Sequence, residues 1–554
     1  MTREDPVRCS RRGFQATAAG LAGAALAGCL DSFGIRADRS VGFEETDLDY
    51  AGVEGGVGFG NSGLYVSDYD NDGLPELLAL GGDRPVLFQN EDGELTPTDL
   101  LDDLGEPGRM FQTAVFFDHD RNGWEDLLLL EQHGPAHFFA NVDGEFESSD
   151  LGLDVEFAVP TSVAVADASG NGLLDLFIAH MGDWADGVPA GWARDEDAGV
   201  LEEDNGAPNL LFWNEGGSFR QAEDAGVSGK RWSLATSFID LTGDGRQDIH
   251  VANDFNRDVI YLNQGDGQFD QLILPEQTDR NGMSSLVTDV SGNGLPDILV
   301  TNIFFPLDDI DEDEEADRLR RHFEFVLQSP RIEGNNLIVN HGNGEFTFEA
   351  SAYGLAEGGW GWAAIAADFD HDGQEELVHA TQNIFEVYDP PVFTYPMYFK
   401  RDGERYERQD AAELGFSPGN DRSTVLLDAN GDGTMDIAIG AYNDRFRLYR
   451  NQLGSGRDRH SIQLDLRDST GAVAIGSTVR LDAGERTYHR FLTSGSDYQS
   501  QSTRLLHVGL GEADTVDELA IRWPDGTETV LEALESDQRL QISPAGIEDA
   551  TPFE

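Results

Sequence analysis

The stretch Asp68-Tyr69-Asp70-Asn71-Asp72-Gly73-Leu74-Pro75-Glu76 sets four carboxylates within nine positions and runs directly into the apolar Leu77-Leu78-Ala79-Leu80. A turn needs only one or two Asp, Asn or Gly to bend the chain, so the surplus oxygens require another role. The pattern recurs as DHDRNGWED from Asp118, DASGNGLLD from Asp167, DLTGDGRQD from Asp240, DVSGNGLPD from Asp289, DFDHDGQEE from Asp368 and DANGDGTMD from Asp428. All seven copies keep one frame, with Asp at position 1, an oxygen-bearing side chain at 3 and 5, Gly at 6 and a carboxylate at 9. Repetition at this period marks a repeat architecture.

A short apolar run precedes and follows every copy, as in LYVSD and LLAL around the first, so each loop joins two strands into a hairpin. A third strand places an aromatic or aliphatic pair before Asn and a Gly-containing turn, as in VLFQNEDGEL and HFFANVDGEF; the sixth copy, MYFKRDGERY, is degenerate. A fourth strand follows most of these. Four short strands in each of seven units predict an all-β fold: a seven-bladed β-propeller with calcium-binding hairpin loops, followed by a small C-terminal β-sandwich-like domain. The last unit lacks a fourth strand while an orphan one, FEETDLDYAGV from Phe43, precedes the first unit, so the chain ends are expected to complete one blade together.

Hard oxygen ligands at alternate positions, a backbone carbonyl at 7 and a carboxylate at 9 can wrap one cation, and six to eight oxygens suit calcium better than magnesium. The expected ligands are Asp68, Asp70, Asp72, Leu74 and Glu76; Asp118, Asp120, Asn122, Trp124 and Asp126; Asp167, Ser169, Asn171, Leu173 and Asp175; and Asp240, Thr242, Asp244, Arg246 and Asp248. The remaining copies supply Asp289, Ser291, Asn293, Leu295 and Asp297; Asp368, Asp370, Asp372, Gln374 and Glu376; and Asp428, Asn430, Asp432, Thr434 and Asp436. An EF-hand would need flanking helices and Glu at position 12, where Ala79 and Val251 stand in the first and fourth copies. Up to seven structural calcium sites are therefore expected. Charge count predicts tightest binding at the copies from Asp68 and Asp368, and weakest at those from Asp167 and Asp289.

The 554 residues carry a formal charge of −67, with 104 Asp+Glu against 37 Lys+Arg. Such a surface repels nucleic acid and anionic lipid headgroups and favours cations. Lys230 and Lys400 are the sole lysines, and this acidity with scarce lysine resembles proteins of salt-accumulating halophiles. Arg11-Arg12 opens the small apolar run ATAAGLAGAALAG, too short to span a bilayer, which ends at Leu26-Ala27-Gly28-Cys29. This resembles a twin-arginine signal with a lipoprotein box, implying an exported cell-surface protein anchored through a lipid on Cys29. Expected boundaries are 1–28 for the signal, 29–42 for a linker, 43–453 for the propeller, 454–545 for the C-terminal domain and 546–554 for a tail.

The acidic hairpins resemble the FG-GAP, or VCBS, repeats of integrin-like propellers. Gly476-Ser477-Thr478-Val479, Ser494-Gly495-Ser496 with Ser500-Gln501-Ser502, His507-Val508-Gly509-Leu510-Gly511 and Arg522-Trp523-Pro524-Asp525-Gly526 resemble an ASPIC/UnbV domain. Their order is similar to that of the cartilage-acidic-protein-like family, which implies an extracellular binding or scaffold role without naming a ligand. His507 and Trp523 are expected to pack at strands rather than touch ligand.

No Gly-x-Ser-x-Gly, phosphate loop, HExxH or clustered Cys/His set is present, so an enzyme is not expected. Insertions at about 181–208, 303–335 and 381–395 fall between the second and third strands of their units, on the face opposite the hairpins. Long loops on a rigid scaffold are where binding tends to reside. These carry Trp184, Trp192, Phe304, Phe305, Tyr388, Phe393 and Tyr395, aromatics suited to a glycan or protein ligand. The alternative is a secreted carbohydrate-active enzyme such as a polysaccharide lyase, for which Arg320, Arg321 and His322 are the candidate residues.

Overall fold

In the computed structural model of the chain, the described residues are 41–553 apart from 52–61, 82–83, 102–103, 105–108, 183, 186–187, 190–205, 276–277, 279, 304–333, 383–393, 443, 454–458 and 496. The signal segment, Cys29 and most of the three insertions lie outside them. From Val41 onward the chain is one compact unit. Among the described residues no helix is long and apolar enough to cross a membrane.

Six of the repeats form an antiparallel meander of four strands in sequence order, and the last supplies three. The first strands are Gly63–Ser67, Phe111–Phe117, Pro160–Ala166, Trp232–Ile239, Leu286–Thr288, Gly361–Ala367 and Asp421–Leu427. Each touches the first strand of the sheets on either side, and Asp421–Leu427 touches Gly63–Ser67, so the sheets close a ring. This is a β-propeller, with first strands innermost. Closure joins the two ends of the repeat region: Phe43–Ala51 pairs antiparallel with Arg445–Asn451 as the outer strand of the last sheet.

Apolar layers between successive sheets explain why the inner strands read as nearly continuous hydrophobic runs: both faces of each sheet are covered. Phe117, Leu128 and Phe138 of the second sheet meet Val165, Ile178 and Phe212 of the third. Val425, Ala438 and Leu448 of the last meet Leu64, Leu77 and Phe88 of the first. Every buried side chain of this size contributes about 1.5–3 kcal/mol relative to exposure.

The hairpin end of the ring is tied together differently. The Asn ending the third strand donates its side-chain amide to the position 2 carbonyl of the preceding sheet's hairpin: Asn141 to Tyr69, Asn214 to His119, Asn263 to Ala168, Asn340 to Leu241, Asn451 to Phe369 and Asn90 to Ala429, all at 2.8–2.9 Å. Where the sixth unit has Arg401 instead, its guanidinium reaches the carbonyl of Val290 at 2.9 Å. Seven side chains thus bridge seven hairpins in a cycle.

The C-terminal region builds two four-stranded sheets around its own apolar core, which includes Leu464, Leu481, Val508, Leu519, Ile521 and Trp523. Trp523 donates Nε1–H to Thr529 Oγ1 at 2.9 Å, and Gly526 takes the positive φ that the Pro-Asp-Gly turn requires. One boundary needs correcting. Gly546–Pro552 is not a tail but a strand paired with Gln538–Ser543.

The region also enters the ring. Its segment from Ser494 to Thr503 bonds to the innermost strand, or the residues leading into it, of every sheet. Ser494 Oγ accepts from Val165 N at 3.2 Å, Asp497 Oδ1 from Ala364 N at 3.0 Å and Gln501 Oε1 from Phe116 N at 3.0 Å. Ser494–Gly495 pairs with Ser237 and Phe238, Ser500 with Leu64, Asp497 with Ser284, and Ser502 Oγ accepts from Leu426 N at 3.1 Å. Inner strands have a free edge toward the ring axis, and buried edge N–H groups must find acceptors. Short polar side chains meet that need.

Replacing Asn263 by Ala removes its bonds to Ala168 O and Gln247 O and the acceptor of Gly265 N, so destabilisation by about 2–4 kcal/mol is expected in chemical denaturation. Asn263→Asp, which points oxygens at the same two carbonyls, should be at least as damaging; an unchanged midpoint would show the bridge to be dispensable.

Candidate metal centre

The hairpins are wound by their own side chains. Asp118 accepts N–H from Asn122 and Gly123 at 3.1 and 2.7 Å, and Asp167 accepts from Asn171 and Gly172 at 2.9 Å each. The side chain at position 5 then accepts from position 7, as Asp72 does from Leu74 at 2.8 Å and Asp432 from Thr434 at 2.8 Å. Gly at position 6 has φ between +82° and +94° in all seven copies, a backbone that side chains rarely adopt.

Position 9 has a task that spacing did not reveal. Asp126, Asp175, Asp248, Asp297 and Asp436 each take two backbone N–H groups, one from the start of their own hairpin and one from the bridging Asn of the third strand. They clamp the hairpin to the sheet. Asp126 Oδ2 also meets His119 Nδ1 at 2.6 Å, so its second lone pair is already engaged.

Among the described residues, three ligand-bearing side chains have atoms within 4.8 Å of one another at Asp68-Asp70-Glu76, at Asp368-Asp370-Glu376 and at His119-Asp120-Asp126. The first two are the copies with four carboxylates. The copies from Asp167, Asp240, Asp289 and Asp428 gather no such set of carboxylate or imidazole groups. Arg246, expected to offer a carbonyl, also pairs with Asp244 of its own hairpin.

In the first hairpin, Glu76 is fully buried, and Asp68 Oδ1 and Glu76 Oε2 have no hydrogen-bond partner. Gln89 donates Nε2–H to Asp70 at 2.8 Å and Glu76 at 3.0 Å but brings no charge, and the attraction of Arg467 offsets the burial of Asp68 only in part. Burial, with the neighbouring Asp70, Asp68 and Asp72, pushes the Glu76 carboxyl up to about 9; burial pushes Asp68 up to about 7. Orphaned anionic oxygens at this spacing fit a hard divalent cation. Asp68 and Asp72 also line a cavity of about 620 Å³ beneath the C-terminal region, with Arg467, Arg504 and Arg539 on its far wall.

Arginines of the C-terminal region meet the acidic hairpin face. Arg504 lies 3.2 Å from Glu125, Arg490 3.2 Å from Glu375, and Arg459 3.0 Å from Asp370, while one pair is reversed, with Arg121 of the second hairpin donating to Asp468 of the C-terminal region at 2.5 Å. Gln463 donates to Asp428 at 2.8 Å, and His507 and His371 bring their Nε2 atoms to 3.2 Å. In the sixth hairpin the Lys400 ammonium bonds Asp370 and lies 3.3 Å from Asp372. On the opposite face, Tyr395 is 41% exposed. Trp192, Phe304, Phe305, Tyr388, Phe393, Arg320, Arg321, His322 and the side chain of Trp184 fall outside the described residues.

These shifts fix how metal-free stability varies with pH. Burial raises Asp175 and Asp248 to about 7 and Asp436 to about 8, so above about pH 4 the folded state holds more protons than the unfolded one and stability falls as pH rises toward 7. Buried His180, His250 and His379, lowered to about 4, 3 and 3, act oppositely between about pH 4 and 6.5 but are fewer than the raised carboxyls, which also include Asp254 and Asp421 at about 7. Melting of divalent-free protein at fixed salt should therefore fall from pH 5.5 to 7.5, and saturating calcium should flatten the slope. A rise without calcium would contradict the burial argument.

Family models match the chain as FG-GAP-like repeat over 68–129, 240–300 and 320–379, and as ASPIC and UnbV over 468–549. Cartilage acidic protein 1 is 23% identical in Homo sapiens over 475 residues and 24% identical in Xenopus tropicalis over 505 residues, each alignment covering 84% of this chain. The chain spans 60% of the human protein's length and 70% of the Xenopus protein's. Among solved structures, BBS1N in complex with ARL6DN aligns over 75% of this chain and 98% of that one at 9% identity and TM-score 0.43. YCF48 bound to D1 peptide aligns over 74% and 96% at 7% identity and TM-score 0.40. Such low scores carry no argument, and the fold rests on the strand pairing above. The chain thus carries FG-GAP-like repeats in a β-propeller and a C-terminal region matched as ASPIC and UnbV, and is similar over most of its length to cartilage acidic protein 1.

Proposed function

We propose that the chain is an extracellular, lipid-anchored, calcium-binding propeller that serves as a binding or scaffold protein for a glycan or protein ligand, without catalysis. The observation that carries the metal part is the first hairpin, where Asp68, Asp70 and Glu76 converge and two buried carboxylate oxygens lack partners. A bound divalent ion would supply positive charge and coordination there; Asp68, Asp70 and Glu76 would hold it, and the Gly73 turn would shape the loop around it. The role is structural. The hairpin face is occupied by the C-terminal region and the ring's inner edge by the 494–503 segment, which favours the opposite, insertion-bearing face for ligands.

Two experiments test this reading. Divalent-free protein in molar salt should gain melting temperature as calcium is added, by mass action worth about 2.7 kcal/mol at one hundred times the dissociation constant. Glu76→Gln should lose part of that gain, whereas Ser169→Ala should lose little. Retention of a surface polysaccharide by the ectodomain without new products supports a binder; release of unsaturated or hydrolysed fragments would establish the carbohydrate-active alternative instead.

A further inference from the structure

In the first and sixth units the third strand places a side chain over the hairpin, immediately before the bridging residue. In the first unit Phe88 pairs with Leu77 and the next residue is Gln89; in the sixth, Phe399 pairs with Leu377 and the next is Lys400. Gln89 and Lys400 are therefore structural equivalents facing equivalent clusters. Gln89 is neutral, and its amide can present either N–H or, after a flip, an oxygen to the cluster. Lys400 offers only a compact ammonium with three donors.

That ammonium lies where the ligands converge. It bonds Asp370 Oδ2 and stands 3.3 Å from Asp372 Oδ2 and 3.7 Å from Glu376 Oε1, while Arg459 Nη1 is 3.0 Å from the other Asp370 oxygen. Glu376 is buried and Asp368 fully so. The chain has two lysines, so a lysine here departs from its own composition. We propose that Lys400 is a built-in cation that fills the sixth hairpin in place of a divalent ion, and that the residue before the bridge decides whether a four-carboxylate hairpin takes a metal. Seven metals are then not reached: the sixth hairpin is charged from within, and its acidic motif persists as the lysine's binding site.

The inference rests on the cation reading of the hairpins, but one readout judges it independently. Reciprocal variants Lys400→Gln and Gln89→Lys would be made in the full chain and compared with wild type. In divalent-free buffer at fixed salt, Lys400→Gln should melt below wild type and Gln89→Lys above it. Calcium counted by atomic emission after equilibrium dialysis should rise by one equivalent in Lys400→Gln and fall by one in Gln89→Lys. If wild type binds no calcium the metal reading fails, and the divalent-free melts alone decide the role of Lys400. Unchanged divalent-free melting in both variants, or an unchanged calcium count in both beside a wild type that binds calcium, would overturn the proposal; should Lys400→Gln not fold without divalent ions, Gln89→Lys still decides it.

Discussion

One side-chain donor per unit, an Asn amide in six units and the Arg401 guanidinium in the sixth, holds the hairpin face of this protein in a circle. The Asn near the end of the third strand in those six units donates to the hairpin of the preceding sheet, while its own backbone N–H in five of them bonds the position 9 aspartate of its own hairpin. Because the donor belongs to one sheet and the carbonyl to another, no unit completes its loop alone. Neighbouring apolar layers supply most of the driving force, but they are non-directional. The amides fix register between sheets.

On that frame the acidic side chains divide their work. Position 1 winds the turn, position 5 closes it, and position 9 anchors it; buried carboxylate oxygens are left short of partners in the first and sixth units, where Glu replaces Asp at position 9, and at Asp428 of the seventh, and among these three hairpins only the first and sixth gather three carboxylates among the described residues. The longer side chain brings a third carboxylate into the cluster. Those two units answer the resulting repulsion with different side chains, Gln89 in one and Lys400 in the other. Elsewhere arginines of the C-terminal region approach the same face, so its docking also reduces the charge concentrated there.

The repeat, the strands and the closing pair Phe43–Ala51 with Arg445–Asn451 were legible because hairpin chemistry and apolar alternation are local properties. The Asn before each Gly turn was visible as a signature, yet its partner lies 72 to 339 residues away in sequence, and nothing local names a carbonyl in another sheet. Lys400 was visible only as a departure from the third-strand pattern. The segment around Ser494 read as part of a domain motif because its polar residues answer unpaired backbone on strands that fold far from it in sequence. Gly546–Pro552 was not legible as a strand because it lies at a sheet edge, where few side chains need burial, and its exposed residues include Glu548 and Asp549.

The account holds that two hairpins with the same carboxylates are filled by different cations. Anomalous diffraction from crystals grown in calcium would read this directly. The account predicts a calcium peak among Asp68, Asp70 and Glu76, with no peak among Asp368, Asp370 and Glu376, where the Lys400 ammonium should appear. A calcium peak in the sixth hairpin with Lys400 turned away, or no peak in the first, would contradict it.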